Sequence, residues 1–151
     1  MTSLTLVRQI AARPAIVFDA LTTAEGMAAW WGPDAAPVVF AESDPRLGGA
    51  WRVRFRSLDG REHEAYGVYV EFDPPHRLAM TWNYADGGEP IEEGRESRIE
   101  ADLRATDGGA ELTFTHGQLK NAASVASHTQ GWTGAFAKLV DRLNGRTTPL
   151  R

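Results

Sequence analysis

The hydrophobic period of this chain changes once, and that change dictates its architecture. From Trp51 to His116 apolar residues recur mainly at every second position, the period of a strand with one face buried. From Val125 onward the spacing becomes three and four. Val125, His128, Trp132, Phe136, Leu139 and Leu143 then form one stripe along a helix. Many two-period segments followed by one amphipathic helix bury both faces most simply as a single antiparallel sheet with the helix packed across it. That is an α+β layout.

The local signals place the elements. Leu4, Leu6 and Ile10 share one face of a first strand within Ser3 to Ala11. Pro14 suits the first turn of a short helix to Leu21, and Thr23 can cap a second reaching Trp30 and Trp31, which Gly32-Pro33 stops. Val38 to Ser43 reads as a strand, and Asp44 to Gly49 as a turn. Trp51, Val53 and Phe55 then alternate with Arg52, Arg54 and Arg56. A two-residue hairpin at Asp59-Gly60 pairs Leu58 with Arg61. In that register Val53 faces Tyr66, Trp51 faces Val68, and Tyr66, Val68, Val70 and Phe72 point inward. Asp73-Pro74-Pro75 breaks the strand. With Phe72 opposite Leu78, the residues Met80, Trp82 and Tyr84 fall on the same inner face. Ala85 to Gly94 is polar, acidic and glycine-rich, a loop and candidate lid. Ser97, Ile99, Ala101 and Leu103 mark the next strand; Leu112, Phe114 and His116 mark the last. Asn144-Gly145 is expected to end the long helix. The expectation is one domain over residues 1–151, with about six to seven strands and two short helices after the first.

Composition narrows the function. The chain has no cysteine, which removes disulfides and thiolate metal sites. Its histidines, His63, His76, His116 and His128, lack metal-ligand spacing, and no phosphate-binding glycine loop or nucleophile elbow occurs, so neither metal nor cofactor is expected. A net charge of −4 argues against nucleic acid as a partner. No apolar run approaches the roughly 20 residues of a membrane span. Met1 to Ile10 lacks a cationic start followed by an apolar core, so the expected location is the cytoplasm.

Several segments together resemble one family. They are Arg13-Pro14-Ala15-Ile16-Val17-Phe18-Asp19-Ala20-Leu21, Trp30-Trp31-Gly32-Pro33, Asp44-Pro45-Arg46-Leu47-Gly48-Gly49 with Trp51-Arg52, Gly67-Val68-Tyr69-Val70-Glu71, Pro74-Pro75-His76-Arg77-Leu78, Thr81-Trp82 and Gly131-Trp132. In this order they resemble the START-like (SRPBCC) superfamily, in the branch related to the C-terminal domain of the activator of heat-shock protein 90 ATPase. The resemblance implies the helix-grip fold, a curved antiparallel sheet around a long C-terminal helix, and an internal cavity. It does not select an activity, because that fold carries lipid carriers, cyclases, oxygenase subunits and co-chaperones. The eukaryotic activator has a separate N-terminal domain that engages its chaperone. This chain starts at the first strand, so a chaperone partner is not the leading expectation.

The residues expected between sheet and helix are Trp31, Trp51, Phe55, Tyr66, Met80, Trp82, Phe114, His116, His128, Trp132 and Phe136. They suit either a wall for an apolar or aromatic ligand or a packed core. His128 and His116 are the candidates for acid/base work, with buried, hydrogen-bonded neutral imidazoles as the plainer reading. An orienting carboxylate would come from Glu71, Asp34 or Glu42; the register turns Glu71 outward unless a bulge intervenes. The stripe Arg52, Arg54, Arg56 reads as a solvated face, near Glu100 or Asp102. The leading expectation is a module binding a small hydrophobic or aromatic molecule. The alternatives are a cyclase- or hydrolase-type enzyme using a pocket histidine, and a protein-interaction domain, chaperone-linked or forming a homodimer.

Overall fold

The computed structural model describes residues 2–31, 38–56, 62–86 and 96–147. Ten elements follow one another: β1 (Leu4–Ile10), α1 (Pro14–Thr22), α2 (Ala24–Trp30), β2 (Val38–Ser43), β3 (Ala50–Arg56), β4 (Glu62–Asp73), β5 (Arg77–Asp86), β6 (Ser97–Thr106), β7 (Gly109–Gly117) and α3 (Ala122–Thr147). The strands form one sheet in the order β1-β7-β6-β5-β4-β3-β2, every neighbouring pair antiparallel. Placing β1 beside β7 brings the two ends of the strand series together, and α3 lies across the inner face. Phe114 of β7 meets Trp132 and Phe136 of α3 at ring separations of 4.7 and 4.8 Å. This is the sheet-and-helix layout expected from the change of period, in the helix-grip form that the resemblance implies.

The short helices form where the local chemistry places them. Pro14 opens α1, and the Thr23 side chain caps α2 by accepting the Gly26 N–H. Asn121 does the same for α3, accepting the Ser124 N–H at 3.0 Å. The long helix does not stop at Asn144-Gly145 but continues to Thr147. Asn144 instead ties α3 to the start of the chain, its side-chain oxygen accepting the Ala11 N–H.

One register differs from expectation. Val53 pairs with Ala65 and Trp51 with Gly67, so β4 is displaced by one residue against β3. A slip of one residue exchanges the two faces of a strand. Ala65 and Tyr69 are therefore buried, while Tyr66, Val68 and Val70 are exposed on the outer face. A register shift between Tyr69 and Glu71 then restores the expected pairing of Phe72 with Leu78. Phe72 packs edge-on against Phe18 and Tyr69. The Asp59-Gly60 turn lies outside the described residues, as do Gly32-Pro33 and most of the Ala85–Gly94 segment; β5 itself continues to Asp86.

Gly67 marks a close approach of β4 to β5. A Cβ there would sit 1.9 Å from the Thr81 carbonyl oxygen, so only glycine fits without displacing backbone. The next N–H, from Val68, donates to the Thr81 hydroxyl rather than to a ladder carbonyl.

The outer face is stitched by ion pairs. Arg52 and Arg54 both bind the Glu64 carboxylate, and Arg56 binds Glu62. The arginine stripe thus pairs across β3–β4, not with Glu100 or Asp102. Those two belong to a second network with Arg77, Arg98 and Glu71. The hydrogen bond from Arg77 holds the Glu71 carboxyl below its usual range and fixes it on the outer face. Among the described residues no helix is long and apolar enough to cross a membrane.

Candidate functional site

All five tryptophans of the chain meet between α2, the inner sheet face and α3. Trp31 follows α2, Trp51 projects from β3, Trp82 from β5 and Trp132 from α3. Trp31, Trp51 and Trp82 form a triangle with ring separations of 5.1, 5.3 and 5.5 Å. Trp132 touches both Trp31 and Trp82, at 5.7 and 5.3 Å. Trp30, which the spacing did not single out, stacks on Phe136 at 5.1 Å. A ring in this position follows from α2 burying Met27 and Trp30 on one face.

Among the described residues a small space borders Trp30 and Trp31. A cavity of about 10 Å³ remains between Leu21, Trp31, Met80, Ile99 and Phe114, with an entirely apolar lining. That is at the threshold for one water, which would find no polar partner there. In this closed state the expected wall residues are packed against one another.

The indole N–H groups divide into two kinds. Trp30 donates to the Ala20 carbonyl at 2.8 Å, and Trp132 donates to His116 Nδ1 at 3.1 Å. Those of Trp31, Trp51 and Trp82 are buried without an acceptor among the described residues. Each buried, unpaired donor costs about 1–3 kcal/mol, and native interiors keep few.

Two histidines adjoin the cluster, their rings 4.9 Å apart. The hydrogen-bond network sets their tautomers. An indole N–H can only donate, so His116 Nδ1 is the acceptor and the proton sits on Nε2. That proton goes to the Ser97 hydroxyl oxygen at 2.8 Å, and Ser97 donates onward toward the Trp82 carbonyl. In His128 the arrangement is reversed. Its Nδ1–H donates to the Ser124 carbonyl at 2.9 Å, so Nε2 accepts from the Tyr84 hydroxyl, also at 2.9 Å. Burial, and to a lesser degree the neighbouring imidazole of His128, pushes the His116 pKa well below its ordinary value. Protonating Nδ1 would also set two donors, imidazole and indole, against each other.

The expected site residues separate accordingly. Trp31, Trp51, Trp82, Phe114, His116, His128, Trp132 and Phe136 converge, and Met80 lines the cavity. Phe55 sits at the margin, part-buried and stacked on His63 at 5.4 Å. Tyr66 does not join them: the one-residue displacement of β4 puts it outside, under the Arg52 guanidinium at 5.4 Å. Tyr69 takes the interior position instead, within hydrogen-bond reach of Ser43 and Thr22, and burial pushes its pKa up to about 12. Glu42 is exposed at the rim of a groove on the other face of the sheet, and Asp34 lies outside the described residues. Neither Glu42 nor Glu71 orients a histidine. Ser97 and Tyr84 were missing from the expected set. A serine at an inward position of an otherwise apolar strand was the available signal for Ser97. Among the described residues no three His, Asp or Glu side chains are grouped to hold a metal ion.

The comparisons with known proteins agree with the fold. Residues 11–144 match the family described as Activator of Hsp90 ATPase homolog 1-like protein. The AHSA1 protein of Silicibacter pomeroyi is 26% identical, with a TM-score of 0.83 over 95% of this chain and 99% of that one. A protein of Chromobacterium violaceum is 24% identical, also at 0.83, over 95% and 97%. The AHSA1-like protein of Aeromonas hydrophila shares the fold at 15% identity, with a TM-score of 0.76 over 99% and 97%. No functionally curated protein matches the chain. With the family matched from the end of β1 to nearly the end of α3, and the same fold in its solved relatives, the chain belongs to the Activator of Hsp90 ATPase homolog 1-like family.

Proposed function

We propose that this domain binds a small hydrophobic or aromatic molecule between α3 and the inner face of the sheet, in the Trp31–Trp51–Trp82 cluster. One observation carries the reading. Three tryptophans, each buried, are packed into one triangle with their N–H groups unpaired. A core selected only for stability has no use for three such donors where phenylalanine would serve. Ligand sites are mostly apolar with a few polar groups, and this cluster has that composition.

Among the described residues, the cavity beside Trp31 is about 10 Å³ and admits no ring, and the triangle itself is in ring contact throughout. Binding therefore proceeds through a minor state in which an aromatic side chain has moved, and the apparent affinity is reduced by the population of that state. Trp31 is the side chain best placed to move, because it follows the last turn of α2 rather than standing within a strand or helix. His116 and His128 have both ring nitrogens engaged and serve here as fixed polar boundaries of the site.

The test is native mass spectrometry of the purified chain before and after denaturation, followed by titration with naphthalene, indole and chromone while recording indole ¹H–¹⁵N resonances. The expected result is a retained small molecule, or saturable shifts of the Trp31, Trp51 and Trp82 signals. Shifts confined to the outer groove of about 320 Å³, around Tyr66, Val68 and Asn83, would place the site elsewhere and refute the reading.

A further inference from the structure

From the same cluster, and resting on the reading above, we infer that the ligand presents hydrogen-bond acceptor atoms, carbonyl or ether oxygens on a planar apolar frame, and not donors. The polar inventory of the triangle is one-sided. Tryptophan has a donor and no acceptor, and Trp31, Trp51 and Trp82 are at most 4% exposed. The polar side chains bordering the cluster are already committed. His116 Nδ1 is taken by Trp132, its Nε2–H by Ser97, and Ser97 continues to the Trp82 carbonyl. Both ring nitrogens of His128 are engaged by Tyr84 and Ser124. An incoming donor would therefore find as side-chain acceptors the Ser97 and Tyr84 hydroxyl oxygens, each already bonded to a histidine, whereas an incoming oxygen finds three indole N–H groups that have no acceptor among the described residues. The edge-to-face contacts among the rings, 73° between Trp31 and Trp51, give an N–H only the weak acceptor of a π-face in the meantime.

The same donors explain why the cluster opens for such a ligand and not for any apolar one. Closed packing leaves them desolvated. A state that admits an oxygen recovers those hydrogen bonds, and a hydrocarbon of equal size does not. A site built from hydrogen-bonding groups discriminates against an analogue that leaves them unpaired.

The experiment compares three two-ring probes of similar size on the full chain. Chromone carries acceptors only, indole a donor only, and naphthalene neither. Chromone is expected to bind at least tenfold more tightly than indole. It is also expected to move the Trp31, Trp51 and Trp82 Nε1–H protons downfield, the signature of a new N–H···O bond, while naphthalene does not. Trp51→Phe, which removes one of the three N–H groups, is expected to weaken chromone severalfold more than it changes naphthalene. If all three probes bind in the cluster with equal affinity and without the downfield shift, the acceptor inference is overturned while the ligand site stands. If none of them perturbs the cluster, both fall.

Discussion

Lowering the pH tests the buried His116 directly. The group is wholly inaccessible in the native state, and its pKa there lies well below the ordinary 6.5. Below pH 6.5 the unfolded chain takes up a proton at this position and the native chain does not, so the unfolded state gains and stability falls as pH falls. One such group costs about 1.4 kcal/mol between pH 8 and pH 5.5, from RT ln(1 + 10) for an unfolded pKa of 6.5. The glutamates held low by arginine, Glu64, Glu71, Glu100 and Glu111, act in the same direction but from an ordinary value of 4.5. At pH 5.5 a carboxyl with that ordinary value is still almost wholly ionised in both states, which leaves this window to histidine, and the comparison with a His116 variant isolates that one. The assay is urea unfolding at both pH values, in the wild type and in His116→Gln, whose neutral amide can both accept and donate. With a typical m of about 1.5–3 kcal/mol/M, the wild-type midpoint should drop by roughly 0.5–1 M and that of the variant by clearly less. Equal losses in the two proteins would refute the assignment of His116 as a buried, permanently neutral group. So would a His116 ring resonance that titrates near pH 6.5.

Two substitutions check the sheet. Gly67→Ala should destabilise the fold by about 1–3 kcal/mol, the usual cost of overpacking, because the new methyl falls 1.9 Å from the Thr81 oxygen; a neutral melting temperature would show that the strands can part there. Tyr66→Phe, which keeps the ring under Arg52, should change stability by less than about 0.5 kcal/mol, whereas Tyr69→Phe should cost about 1 kcal/mol through its lost hydrogen bonds to Ser43 and Thr22. The reverse ranking in thermal melts would restore the register in which Tyr66 points inward.

Much of the candidate site was legible because it depends on period alone. Phe114 and His116 share parity with Leu112 on β7, Met80 and Trp82 share parity on β5, and Trp132 and Phe136 follow His128 along one helical stripe. Those relations are local and survive any arrangement of neighbouring strands. Tyr66 failed for the opposite reason. Its facing was inferred through a hairpin, and a single displaced residue between β3 and β4 reverses every side chain beyond it. The displacement near Val70 then hides the error from the rest of the sheet, since Phe72 and Leu78 pair as expected.

The sequence by itself determined the kind and order of the elements, one antiparallel sheet with one long helix, and most of the aromatics between them. Turn chemistry, caps and hydrophobic period are properties of neighbouring residues, and they act before any tertiary contact forms. Only the tertiary structure decided which N–H groups found an acceptor, which tautomer each histidine adopts, and how closely the five tryptophan rings pack. Those outcomes depend on contacts between residues far apart in the chain, where displacements smaller than a bond length separate a hydrogen bond from an unpaired donor.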